Sequence, residues 1–264
     1  MGKQTPQCQC DLKCMNPPLE GSAFCVNHQS CTAISPLSGD EPPYEPDQWN
    51  KHKGVKEAHN CFAYAYRFMD MPKTPKCTNE SCPISFPQPG RASGYPKWSK
   101  IKGKRCPDII ARALGDVPGS RRVPFTQRCM KGMRKVAFIA DPKEDYHVLS
   151  EDKYGTWSHK PGGTDVTDVD ASKRPIINPE LANFNYPDSG LNYKHFCGYL
   201  CIPATRKHRL RRTGGKRSTT KRSTTKRSTT KRSTTKRSTT KRNRKQQRSL
   251  KRSTRKRRTH KRRA

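Results

Sequence analysis

Fifty-nine consecutive residues, Arg206 to Ala264, contain 29 Lys or Arg and no Asp or Glu, and no hydrophobic core can be built from them. Five perfect copies of Lys-Arg-Ser-Thr-Thr run from Lys216 to Thr240, and beyond Leu210 the segment holds one further Leu and no aromatic residue. So little apolar surface cannot offset the cost of ordering the backbone, about 1–2 kcal/mol per residue. The tail, 206–264, is therefore expected to be disordered when free, and any fold must come from residues 1–205. It also holds most of the formal net charge of +35, because the first 205 residues set 27 basic side chains against all 21 acidic ones.

Such a tail suits a polyanion. An extended chain advances about 3.3 Å per residue, so paired cations every five residues can follow a line of phosphates, and release of condensed counterions drives the binding. The basic side chains of the repeats, Lys216, Arg217, Lys221, Arg222, Lys226, Arg227, Lys231, Arg232, Lys236, Arg237, Lys241 and Arg242, are the expected contacts to DNA or RNA. No Phe, Tyr or Trp is interleaved to stack on bases, so binding blind to sequence is expected. Phosphorylation of Ser218, Thr219, Thr220 and their counterparts would cancel the charge. A nuclear targeting role for short runs such as Arg255 to Arg258 is the competing reading.

No apolar run reaches the 18 to 20 residues of a membrane span, and Met1 to Cys14 lacks the apolar stretch of a secretory signal. An intracellular setting is expected on that basis, with the twelve cysteines serving as metal ligands, reactive thiols or buried apolar groups more than as disulfides. Residues 8–31 place Cys8, Cys10, Cys14, Cys25, His28 and Cys31 within 24 positions. Cys25 and His28 share one turn, Gly21-Ser22 supplies a bend, and four such ligands satisfy a tetrahedral zinc ion. The expected structural zinc set is Cys10, Cys14, Cys25 and His28, with Cys8 and Cys31 as replacements. A second set, Cys77, Cys82, Cys106 and Cys129, is either metal-binding or free thiols. The stretch Cys14 to His28 resembles small treble-clef-like or knuckle-like zinc elements.

A Pro-rich connector, 36–48, separates this head (1–35) from a central domain (49–205) long enough to bury a core. Asn60 is a good helix cap, and Phe62, Ala65, Tyr66 and Met69 fall on one face, predicting a helix over 61–70. A second helix is predicted from Pro107 to Gly115. The period then changes. Strands are predicted at 135–140, 146–150, 156–159 and 196–203, with a hairpin around Asp152 to Gly155 and mostly loop between His159 and Lys194. Helices first and strands after make an α+β domain with an antiparallel sheet.

Cys61 falls in the first turn of its helix, where unpaired N–H groups favour a thiolate, and His147 opens a later strand. This order resembles the papain-like cysteine hydrolases of the NlpC/P60 and CHAP type. The resemblance implies a thiolate that attacks an amide or thioester-like carbonyl, a His that shuttles the proton and a third polar group that orients the ring. The implied set is Cys61, His147 and Asp165, with His159 and Asn178 as alternatives. The stretches Asn60 to Ala65, Phe86 to Gly94, Asp145 to His147, Trp157 to Thr164 and Phe196 to Pro203 also resemble uncharacterised proteins of large double-stranded DNA viruses. That resemblance implies a virion component, located in the host nucleus or cytoplasm during infection, with other virion proteins as partners. Two functions stand open: a nucleic-acid-binding packaging protein, or a cysteine hydrolase that its tail tethers to an anionic surface.

Retention on DNA-cellulose separates the tail from the body. Deleting 206–264 is expected to abolish retention, and for the full chain log K is expected to fall steeply and linearly with log salt concentration. Retention that survives the deletion would overturn this reading.

Overall fold

The computed structural model describes residues 6–11, 13–31, 34–69, 78, 86–99 and 103–204. The tail cations named above, Cys77 and Cys82 lie outside these residues. Helices α1 (Asp47–Asn50), α2 (Lys53–Ala58), α3 (Cys61–Ala65) and α4 (Cys106–Asp116) precede seven strands. These are β1 (Arg121–Val123), β2 (Met133–Asp141), β3 (Asp145–Glu151), β4 (Trp157–His159), β5 (Asn185–Tyr186), β6 (Leu191–Asn192) and β7 (His195–Pro203). The sheet runs β1-β7-β2-β3-β4 and every pair in it is antiparallel, so the α+β expectation holds; β5 and β6 form a separate hairpin.

At the centre β2 is hydrogen-bonded on both edges and buried from Met133 to Ala140 on both faces. One face carries Val136, Phe138, Val148, Leu200 and Ile202 and packs against Phe62, Ala65, Ile109, Ile110 and Ala113 of α3 and α4. The opposite face carries Ala137, Ile139, Leu149 and Tyr199 and is covered by Trp157 and by Ile176, Phe184 and Tyr193 of the irregular 160–194 segment.

Asn60 caps α3 through its Oδ1, which accepts the Ala63 N–H at 3.1 Å. The helix ends at Ala65, short of the expected 70, because Arg67 takes a left-handed φ of 52° and Phe68 N–H returns to the Ala63 carbonyl at 2.7 Å. That 6→1 bond is the Schellman way of closing a helix. α4 begins one residue before Pro107 and ends at Asp116, whose carboxylate accepts from Gly90 N–H at 2.6 Å and Ser93 N–H at 2.8 Å. The Phe86 to Gly94 stretch is thereby folded back over α4. Gly90 sits at φ +88°, and a Cβ there would lie 2.7 Å from Tyr95 Cβ, so only glycine allows this approach.

A bulge between Phe138 and Ile139 in the β2–β7 register leaves Cys197 without a partner on β2. An extra residue reverses the facing of everything beyond it. Cys197 therefore points to the helical side and bridges Cys106 of α4, whereas Cys201 lies in the opposite face and bridges Cys129. Cys10 and Cys31 form a third disulfide. These bridges correct two expectations. Cys106 and Cys129 supply neither a second metal site nor free thiols, and of the central domain's described cysteines Cys61 alone keeps a free thiol.

The Pro-rich connector is extended but strapped down. Ser38 Oγ donates to the Met133 carbonyl at 2.6 Å, Gly132 N–H to Asp40 at 2.6 Å and Lys153 N–H to the Pro42 carbonyl at 3.0 Å. Head, connector and central domain belong to one compact unit.

Each bridge across the sheet closes a long loop, 91 residues for Cys106–Cys197 and 72 for Cys129–Cys201. Replacing both members of either pair with Ser is expected to lower the unfolding free energy by about 2–5 kcal/mol in a denaturant titration. An unchanged midpoint would show that the bridge does not form in solution.

Candidate functional site

β4 pairs with β3 only at Leu149–Glu151, so the stretch of β3 from Asp145 to Val148 has one edge unclaimed by the sheet. The N-terminus of α3 fills that gap. There the Cys61 sulfur accepts hydrogen bonds from the backbone N–H of Val148 and of Phe62. Tyr64 OH anchors the same helix to β4, 2.6 Å from Ser158 Oγ, which in turn donates to Asp152 at 2.9 Å. Burial pushes the Asp152 carboxyl up to about 7.

Cys61 and His147 line one cleft of about 380 Å³, shared with Phe86, Gln88, Asp145, Tyr146, Tyr193 and the Pro161–Thr164 turn. Both are almost fully buried. His147 Nε2 lies 2.9 Å from His159 Nδ1, and His159 Nε2 lies 3.0 Å from the Val169 carbonyl. A carbonyl can only accept, so His159 carries its proton on Nε2 and presents a bare Nδ1. His147 must then donate from Nε2, which leaves the lone pair on its Nδ1 free to act as a base.

Burial pushes the Cys61 thiol up to about 12, with the Asp145 charge adding to it and the two backbone N–H groups and Lys160 opposing it. Burial also depresses His147 well below its ordinary value, reinforced by His159, and brings His159 to about 4. The resting pair is therefore thiol and neutral imidazole.

His147 and His159, posed as alternatives, occupy successive places in one chain. Asp165 does not join them: it is largely exposed and pairs with Lys56 at 3.0 Å, so it has no part in orienting His147. Asn178 is spent elsewhere, its Oδ1 accepting from Tyr199 OH at 2.8 Å. Sequence reasoning missed Gln88 and Lys160. Gln88 Oε1 accepts from Tyr146 OH at 2.9 Å, which leaves its NH₂ group as a donor at the cleft. Lys160 Nζ donates to the carbonyls of Lys56, Gly162 and Thr164 at 2.6, 2.9 and 2.7 Å and so fixes the turn that walls the cleft. Burial lowers its pKa to about 8. The signals were present in Phe-Pro-Gln-Pro-Gly and His-Lys-Pro-Gly, but neither shows which carbonyls a lysine will find.

The head forms a second site. Ligand atoms of Cys8, Cys14, Cys25 and His28 all lie within 4.8 Å of one another, a group able to hold a metal ion. Cys8 takes the place expected for Cys10, because the disulfide to Cys31 consumes both of those sulfurs. His28 Nδ1 is 3.4 Å from both Cys8 and Cys25 sulfurs, and Cys14 and Cys25 sulfurs are 3.7 Å apart. Burial works against a Cys25 thiolate, yet hydrogen bonds from Cys8, the Asn27 backbone, Cys14 and His28 bring it down to about 7. Three thiols and an imidazole converging on one point, with backbone N–H groups beside them, fit a soft divalent cation.

A 160-residue stretch of the chain is 32% identical to insoluble matrix shell protein 1 of Ruditapes philippinarum, and the match covers 60% of this chain and 88% of that protein. No family model and no solved structure matches the chain.

The proton order in the histidine chain can be read by ¹⁵N NMR. At about pH 6 both rings are expected as neutral Nε2–H tautomers, with His159 accepting a proton only near 4. A ring that titrates at an ordinary value of about 6.5 would contradict the assignment.

Proposed function

The chain belongs to the family of insoluble matrix shell protein 1, and we propose that its central domain is a cysteine acyl hydrolase in which Cys61 is the nucleophile, His147 the base and His159 the group that orients it. The observation that carries this reading is the one-way proton chain from Val169 through His159 to His147, which leaves a basic nitrogen in the cleft that holds a buried thiol. The Cys61 sulfur attacks the carbonyl carbon of an amide or ester while its proton moves to His147 Nδ1. The tetrahedral oxyanion meets the Cys61 backbone N–H, which lacks an acceptor within the helix, and the Gln88 NH₂ group. Collapse expels the leaving group with the proton from His147. Water, deprotonated by the same ring, then cleaves the thioester.

The relative's name places it in an insoluble shell matrix. The three disulfides among the described residues suit an oxidising setting of that kind, and a particle oxidised after assembly would suit them equally. The ion in the head is proposed to be zinc in a structural role, since protein ligands fill all four positions. A second reading rests on the charge of 206–264 alone: the tail holds the chain to a polyanion, whether packaged nucleic acid or an acidic polymer.

Acyl transfer from p-nitrophenyl acetate tests the hydrolase reading. A single acetyl group is expected on Cys61 by mass spectrometry, with acylation slowed about 10²–10⁴-fold in His147→Ala and unchanged in Asp165→Ala. An acylation rate indifferent to His147 would falsify the assignment.

A further inference from the structure

Gln9 stands between a metal-ligating cysteine and a disulfide, and its side chain is buried in the central domain, not in the head. Its Oε1 accepts from Ile177 N–H at 2.7 Å and Asn178 N–H at 3.0 Å, and its Nε2 donates to the Pro175 carbonyl at 3.0 Å. One amide thus does the work of a missing neighbouring strand for residues 175–178. That segment is paired in turn with the residues around His159. Pro175 bridges Val169, Ile176 bridges Trp157, Ile176 N–H donates to the Asp168 carbonyl, and Thr167 bridges His159 itself. The carbonyl that dictates the tautomer of His159 belongs to Val169, in the middle of this weave.

Gln9 is held from its other side by the head. Its N–H donates to the Ala23 carbonyl at 2.9 Å, and the preceding Cys8 sulfur accepts from Cys25 N–H at 3.3 Å. Among the described residues the regular structure of the head is one short 3-10 turn, Val26–His28. So little secondary structure leaves the Cys10–Cys31 disulfide as the one covalent staple of the head, and a cation bound by the three thiols and the imidazole would supply the remaining order.

We infer that Gln9 is a positioning residue for the His147–His159 pair, and that metal binding at Cys8, Cys14, Cys25 and His28 holds Gln9 in place. The inference deepens the hydrolase reading and takes its functional meaning from it. The linkage runs from the ligand Cys8 through Gln9, the 175–178 segment, Val169 and His159 to His147. Loss of the metal frees Gln9, the Val169 carbonyl loses its fixed position, and His159 exchanges between tautomers. His147 then no longer presents a single basic nitrogen to Cys61.

The test uses the full chain loaded with zinc, with two readouts: ¹⁵N shifts of the His159 ring, and the pH profile of Cys61 alkylation by iodoacetamide. Cys61, Asp145, Tyr146, Tyr186, Tyr193 and Lys160 are the other ionisable groups around the cleft, and none of them is altered in the variants. In Gln9→Ala the His159 signal is expected to lose its single-tautomer signature, and Cys61 alkylation at neutral pH to slow toward the rate of His147→Ala. Gln9→Glu keeps the acceptor for Ile177 and Asn178 and is expected to restore part of the wild-type behaviour. Stripping zinc from the wild type by chelation is expected to reproduce the Gln9→Ala spectrum, and to add nothing in Gln9→Ala itself. An unchanged His159 tautomer in both Gln9→Ala and the chelated wild type overturns the inference, and a wild type that binds no zinc overturns its metal half. If Gln9→Ala does not fold, the chelation arm decides. A His159 that responds while Cys61 alkylation ignores His147→Ala would uphold the positioning role and overturn the hydrolase reading, so the two failures are distinguishable.

Discussion

An irregular layer of chain lies against one face of a strand that is buried on both sides, and the amides in that layer that its short hairpin and isolated bridges do not pair have to find other partners. The 160–194 segment meets this constraint with side chains. Asp170 accepts from the N–H groups of Ser172, Arg174 and Asn183. Lys160 caps three carbonyls, and Gln9 arrives from the head to complete the edge at Pro175, Ile177 and Asn178. A helix in that place would have satisfied its own backbone and left no carbonyl to spare. The Val169 carbonyl is available to His159 because the layer is irregular.

The chemistry of the cleft follows from the same arrangement. Burial raises the Cys61 thiol and lowers both histidines, so neither member of the pair is charged at rest. What the protein provides instead is direction: an acceptor-only carbonyl at one end of the chain of rings and a bare nitrogen at the other. The short β4 matters as much, since it leaves the edge of β3 open where the first turn of α3 places the sulfur.

Much of the fold was legible because its elements are strongly periodic or sharply punctuated. Asn60 with Phe62 and Ala65 marked α3, Pro107 with Ile109, Ile110 and Ala113 marked α4, and strand-forming runs, bounded for β3 by the Asp152–Gly155 turn, marked β3 and β7. The three-residue β1 and the two-residue β5 and β6 carry too few residues to show a period and were not seen. The third polar group of the site was misassigned for a different reason. Asp165 and Asn178 are polar residues at plausible spacing, yet the ring that reaches His147 is His159, placed one β-hairpin away by the β3–β4 register. At Cys197 a one-residue bulge turned two cysteines of equal parity, Cys197 and Cys201, onto opposite faces, which no strand pattern signals.

By itself the sequence determined the division of the chain into a 205-residue body and a polycation, the α+β class, the helix that bears Cys61 and the clustering of soft ligands in the head, because composition and local periodicity are enough to decide these. Only the tertiary structure decided which cysteines bridge and which remain converged as possible metal ligands, which ring nitrogen carries each proton, and that a glutamine of the head braces the loop behind the His147–His159 pair. Those outcomes depend on contacts between residues up to 169 positions apart. No local preference encodes them, since each is settled by which buried donor has an acceptor within reach once the sheet has closed.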